Sequence, residues 1–147
     1  MPEKATLERA RRDKRQGKAA STQAGEFVRE EIEHVREGKH GARSTKQAIA
    51  IGLSKARRAG VKLGKPPAGA KSTTKRSAAS ASRRAGKSAS PRRSRAARTA
   101  LKREGHKAAS RTALSRQARS AARKRPAASR SAAATKAART RKRRAEA

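Results

Sequence analysis

The side chains of this sequence that could do chemistry are its cations. Lys and Arg number 43 against 10 Asp and Glu, a net charge of +33 in 147 residues. They cluster at Arg83-Arg84, Arg92-Arg93, Lys102-Arg103, Arg123-Lys124-Arg125 and Arg141-Lys142-Arg143-Arg144, spaced by Ala and Ser. Such small spacers leave each cation free to reach a phosphate oxygen, and neutralising phosphates releases condensed counterions whatever the base sequence. A fixed charge of this size calls for a polyanion as partner. The chain has one Phe and no Tyr or Trp. It therefore lacks the stacking platforms that grip unpaired bases, and duplex DNA is favoured over a single strand.

Other chemistries find less support. With no Cys, thiol nucleophiles, disulfides and thiolate metal sites are excluded together. His34, His40 and His106 read as surface histidines because no carboxylate pair converges on them in a predictable way, and the sequence predicts no metal and no cofactor. Residues 81–88 brush the phosphate-loop pattern, but Ala81 stands where its first glycine belongs and no strand precedes it. No nucleophile–base pair can be assembled, so no enzyme is expected. Glu30, Glu31, Glu33 and Glu37 read as a solvated acidic face, or as one that folds back on the basic tail.

These cations need carriers, and nearly all the large apolar residues lie in 27–63. Val28, Ile32 and Val35 recur at i, i+4, i+7 beside Phe27, the stripe of an amphipathic helix. Gly38 stops it, and a glycine-rich link leads to Ser44-Thr45-Lys46-Gln47, where the Ser and Gln predict a capping box. Ala48, Ile49, Gly52, Leu53 and Ala56 then share one face, and Gly60 with Pro66-Pro67 closes the second helix. Small residues at 48, 52 and 56 predict a close approach of the first helix, giving an antiparallel helix–loop–helix hairpin over 26–64. Ala48 with Gly52-Leu53-Ser54 also imitates a helix-turn-helix, which turns Lys55, Arg57, Arg58 and Lys62 towards a DNA groove. A continuous second helix is preferred, because Gly60 and Pro66 leave little room for a recognition helix.

Residues 1–25 read as a short basic helix over 2–15, a stop at Gly17 and a polar link over 18–25. Beyond the hairpin the alphabet collapses to Ala, Ser, Thr, Arg and Lys. Residues 1–64 carry 16 Lys/Arg and 8 Asp/Glu, net +8, whereas 65–147 carry 27 Lys/Arg with only Glu104 and Glu146, net +25. The predicted fold is therefore mostly disordered with a small all-α part: the hairpin, and a basic low-complexity tail over 65–147 without fixed tertiary structure. Within that tail, 95–103 and 110–124 are rich in good helix formers and become helical once phosphates relieve their repulsion. So small a core needs self-association or a partner to be stable.

At residues 46–56, Lys-Gln-Ala-Ile-Ala-Ile-Gly-Leu-Ser-Lys-Ala, the sequence resembles a small bacterial domain family of unknown function, over about residues 27–63. The resemblance implies a helical hairpin, often attached to an Ala/Lys/Arg-rich tail, and brings no catalytic residues. Ser90-Pro91-Arg92-Arg93 and the step Lys124-Arg125-Pro126-Ala127-Ala128 resemble linker-histone tails, where S-P-basic-basic turns lie along the minor groove. The resemblance implies two guanidiniums presented to a narrow A·T groove; the alternative is a proline with no such role.

The function expected is that of a nucleoid-associated, histone-like protein binding duplex DNA without sequence preference. Two alternatives stay open: an RNA- or ribosome-associated basic protein, and a hairpin that binds a protein partner or a second copy while the tail parks it on nucleic acid. No apolar run approaches a membrane span and no signal-peptide core follows Met1, which predicts a cytoplasmic protein without membrane contact.

Overall fold

Breakers and caps divide the chain much as the sequence suggests, but far more of it is helical and packed than hydropathy predicts. The computed structural model describes residues 2–66, 69–87 and 90–146, at 144 the backbone alone. Pro67 and Ser88, which figured in the expectations above, lie outside them. The described residues form seven α-helices: α1 (Lys4–Arg15), α2 (Ala20–Arg36), α3 (Thr45–Arg58), α4 (Ser72–Arg83), α5 (Pro91–Lys102), α6 (Arg111–Arg123) and α7 (Ala127–Ala145). A single 3-10 turn, Lys107–Ala109, lies between α5 and α6. The expectation of a mostly disordered chain is thus overturned. Ala, Arg and Lys lose little side-chain freedom in a helix, and the described residues of 65–147 are largely helical.

The chain divides into two units, Met1–Ser110 and Arg111–Ala147. In the first, α1 lies antiparallel to α2. Their pairings march in opposite directions, with the Glu3 amide on Glu30 Oε2 (3.1 Å), Arg9 Nε on Glu26 Oε2 (2.6 Å) and Lys18 Nζ on Asp13 Oδ1 (2.7 Å) beside the turn. Gly17 makes that turn at φ +66, where a side chain would be strained. The supposed polar link over 18–25 is mostly the first turns of α2. Ala24 is fully buried there, in one cluster with Ala10, Phe27 and Ala56, against which Leu7, Leu53, Val61 and Leu63 pack.

α2 and α3 form the antiparallel hairpin. Ala48, Gly52 and Ala56 are all buried on the contact face of α3. A Cβ on Gly52 would stand 2.7 Å from Val28 Cα and 3.0 Å from the Phe27 carbonyl oxygen, so only glycine permits this crossing. α3 is continuous through Gly52, and no helix-turn-helix forms. The Ser44 hydroxyl accepts from the Gln47 amide at 3.2 Å, while the Gln47 side chain accepts from the amide of Arg43 rather than that of Ser44, one residue earlier than in the expected box.

Of the region beyond residue 65, expected to lack fixed tertiary structure, the part within the first unit docks on this hairpin. α4 packs on α3 and buries Ala81. The Gly41 and Ala42 amides donate to the carbonyls of Leu101 (2.9 Å) and Gly105 (3.0 Å). Thr45 Oγ1 donates to the Ala108 carbonyl at 2.6 Å and Arg36 Nε to that of Ala109 at 2.9 Å, with Ala108 and Ala109 buried beneath. These are backbone acceptors met by polar donors at the end of α2, in the link and at the start of α3, so the docking has no hydropathic signature.

Candidate nucleic-acid interface

The end of α3, the turn after α4 and the start of α5 meet at one place. Gly86 turns the chain at φ +74 and its amide donates to the Arg58 carbonyl at 2.9 Å, fixing the turn to α3. Ser90 precedes α5 and Pro91 occupies its first turn, where a fixed φ and a missing N–H do no harm. Arg92 and Arg93 therefore sit in the first turn of a helix, and the S-P-basic-basic turn suggested by the linker-histone resemblance is not formed.

This arrangement gathers Arg58, Arg84, Lys87 and Arg93, with Ser90 and Ser94, around a groove of about 370 Å³ lined by no carboxylate. Their side chains repel one another, and only an anion relieves that repulsion. The N-terminus of α5 adds partial positive charge at the same place. A phosphodiester oxygen fits such a site better than a carboxylate-bearing peptide, because several cations and two hydroxyl donors converge without a base-reading partner.

In the second unit the cations are sorted by helix face. Thr112, Ser115, Arg116, Arg119, Ser120 and Arg123 recur on one side of α6, a ridge about 16 Å long at 1.5 Å per residue. Lys136, Arg139, Lys142 and Arg143 likewise share a side of α7. Arg111–Ala147 holds 13 Lys/Arg against one acid, Glu146, which lies 3.9 Å from Lys142.

Of the other cations read as phosphate ligands, Arg83 ends α4, Arg92 opens α5, Lys102 and Arg103 sit at its exit, and Arg141 lies late in α7, all exposed. Lys124 and Arg125 occupy the exposed turn before α7, where Arg125 donates to Ser129 Oγ at 2.9 Å. The side chain of Arg144 lies outside the described residues. Arg57 is half-buried and turned towards the Gly64 carbonyl. Lys55 is no groove-facing residue: its ammonium points inward, 3.2 Å from Glu30 Oε1 and 2.7 Å from Glu31 Oε2.

Those two carboxylates are the residues the sequence reading placed wrongly. Glu30 and Glu31 are 2% and 0% exposed, so half of the supposed solvated acidic face is interior. Burial pushes the Glu30 carboxyl up, but the Glu3 amide, Thr6 and Lys55 together pull it below the ordinary carboxylate value. Glu3 is itself held low by His34 and Lys39. His34 and His40, read as surface residues, are only 12% exposed at the side chain and sit edge to face beside Glu31. The sequence signal that could have found them is Glu31-x-x-His34, a spacing that puts both on one helix face.

Among the described residues no helix is long and apolar enough to cross a membrane. No curated protein and no solved structure matches the chain. Residues 4–67, which carry α1, α2 and α3, match a family of unknown function (DUF6496), so the match takes in a helix that the resemblance at 27–63 left out.

Proposed function

We propose that the protein binds duplex DNA without sequence preference by neutralising phosphates, as a histone-like, nucleoid-associated protein. The observation that carries this reading is the carboxylate-free groove of Arg58, Arg84, Lys87 and Arg93 on a chain of net charge +33. In it the first unit is a folded platform whose groove seats one stretch of backbone, and the faces of α6 and α7 supply further phosphate contacts. One Phe and no Tyr or Trp give unpaired bases nothing to stack on.

The test is a competition titration of full-length protein between duplex DNA of mixed sequence and structured RNA, repeated with Arg58→Ala, Arg84→Ala and Arg93→Ala combined. The expected result is equal affinity for unrelated duplexes, preference over RNA, and a log–log salt slope shallower by about 0.9 for each phosphate that the variant no longer neutralises. Preference for RNA refutes DNA as the partner. An unchanged slope in the triple variant refutes the groove.

A further inference from the structure

The cluster around Glu31 holds two buried carboxylates against one lysine ammonium. Its carboxylate is fully buried, and neither oxygen receives a well-directed hydrogen bond. The one ammonium in reach among the described residues, Lys55, is shared: it donates to Glu30 Oε1 at 3.2 Å and stands 2.7 Å from Glu31 Oε2 as a close but poorly aimed ion pair. One positive charge thus serves two buried negative ones, and an uncompensated interior carboxylate is costly.

The two imidazoles beside Glu31 are oriented for a particular occupant. His40 Nδ1 is 3.1 Å from the Gly41 carbonyl, which can only accept, so Nδ1 carries the proton. In the neutral ring its Nε2 then turns a lone pair towards Glu31 Oε1, 3.3 Å away. His34 Nε2 lies 2.9 Å from Glu3 Oε1, again an acceptor, which in the neutral ring leaves the lone pair on Nδ1. Each ring therefore donates one N–H outward, to a carboxylate or a backbone carbonyl, and keeps one bare nitrogen, the outer-shell pattern of metal-ligating histidines. One ligand atom from each of Glu31, His34 and His40 falls within 4.8 Å of the other two. The 3.3 Å between His40 Nε2 and Glu31 Oε1 is close to the edge of a tetrahedron built with bonds of about 2.0–2.1 Å.

We propose that Glu31, His34 and His40 bind one first-row divalent cation of the zinc class. Two imidazoles and a carboxylate select against Mg2+ and Ca2+, which prefer all-oxygen shells. Glu31 coordinates through Oε1 while Lys55 holds Oε2, and three protein ligands leave a fourth position for water. Glu31 and His34 come from consecutive turns of α2. His40 comes from the link after Gly38, held in place where Gly41 and Ala42 bond the backbone at Leu101 and Gly105. The ion closes this link onto α2, a staple for a unit whose core is built mostly of alanines.

The proposal is tested on metal-stripped full-length protein by calorimetric titration with Zn2+, and by the visible spectrum of the Co2+ form, against Glu31→Gln, His40→Gln and the exposed His106→Gln. Expected are one Zn2+ per chain, tetrahedral-type Co2+ bands, affinity lower by about tenfold or more in the first two variants, and no change in the third. Thermal melts add a sign reversal that a purely structural role does not give. Without metal, Glu31→Gln melts at or above the wild type because a buried charge is gone; with Zn2+ it melts below. No saturable Zn2+ binding overturns the proposal, as does binding that survives both Glu31→Gln and His40→Gln with the helical signal intact.

Discussion

Gly52→Ala tests the close crossing of α2 and α3 by its sign. In a helix interior Ala is better than Gly by about 0.8–1.0 kcal/mol, so a loosely packed hairpin gains stability from the change. Here the added Cβ falls 2.7 Å from Val28 Cα and 3.0 Å from Val28 Cγ2 and the Phe27 carbonyl oxygen. The first distance is about 0.8 Å short of ordinary carbon–carbon contact, and the atom in the way is backbone, so α2 must retreat. Overpacking costs about 1–3 kcal/mol, and a backbone obstacle together with the weakened packing of Phe27 and Ala56 puts Gly52→Ala in the upper part of that range, about 2–3 kcal/mol. The balance is about 1–2 kcal/mol of lower stability. Native-state amide exchange reads this as protection in α2 and α3 falling about 5- to 30-fold. Gly25→Ala is the companion: this glycine is in α2 with nothing within 4 Å of its Cβ position, and the substitution raises protection by the propensity gain alone. Equal or greater protection in Gly52→Ala refutes the packing.

Three other outcomes follow from the same structure. Gly41→Ala puts a Cβ into the backbone at Glu104 and Gly105; exchange at the Gly41 and Ala42 amides accelerates while α1 and α2 stay protected, and unchanged exchange there contradicts the docking of 101–109. Lys55→Met leaves Glu30 and Glu31 without their ammonium and lowers stability by about 3–5 kcal/mol, read by urea unfolding at pH 7. The Glu30 carboxyl lies below its ordinary 4.5 when folded, so its contribution is present above that value and disappears as pH falls through the depressed one; an acid titration of stability that Glu30→Gln does not flatten contradicts the assigned partners.

The hairpin was legible because its signals are local. Ser44 before Thr45, glycines at 38 and 60, and small residues four apart at 48, 52 and 56 each state their role within one or two turns. The burial of Glu30 and Glu31 was not, because the groups that make it tolerable, the Glu3 amide and Lys55, lie 27 and 25 residues from Glu30, and charge type alone assigns carboxylates to the surface. α1 and the start of α2 were underrated for a related reason. Their packing buries Thr6, Ala10, Asp13 and Ala24, small or polar residues that carry little hydropathic weight. The low complexity of 65–147 suggested disorder, yet alanine propensity makes helices of it and hydrogen bonds to the 101–109 backbone dock its first part on the hairpin, and neither leaves an apolar stripe. The groove was half visible: Arg58, Arg84 and Arg93 were singled out as phosphate ligands, but their convergence depends on the Gly86 amide reaching the Arg58 carbonyl.

The most direct test of phosphate neutralisation is the salt dependence of duplex binding by the full-length chain, followed by fluorescence anisotropy from about 50 to 200 mM salt. Engagement of about ten phosphates gives a log–log slope near −9, a drop of roughly five orders of magnitude in the binding constant over that range, whatever the duplex sequence. A shallow slope, or tight binding confined to one sequence, contradicts the account.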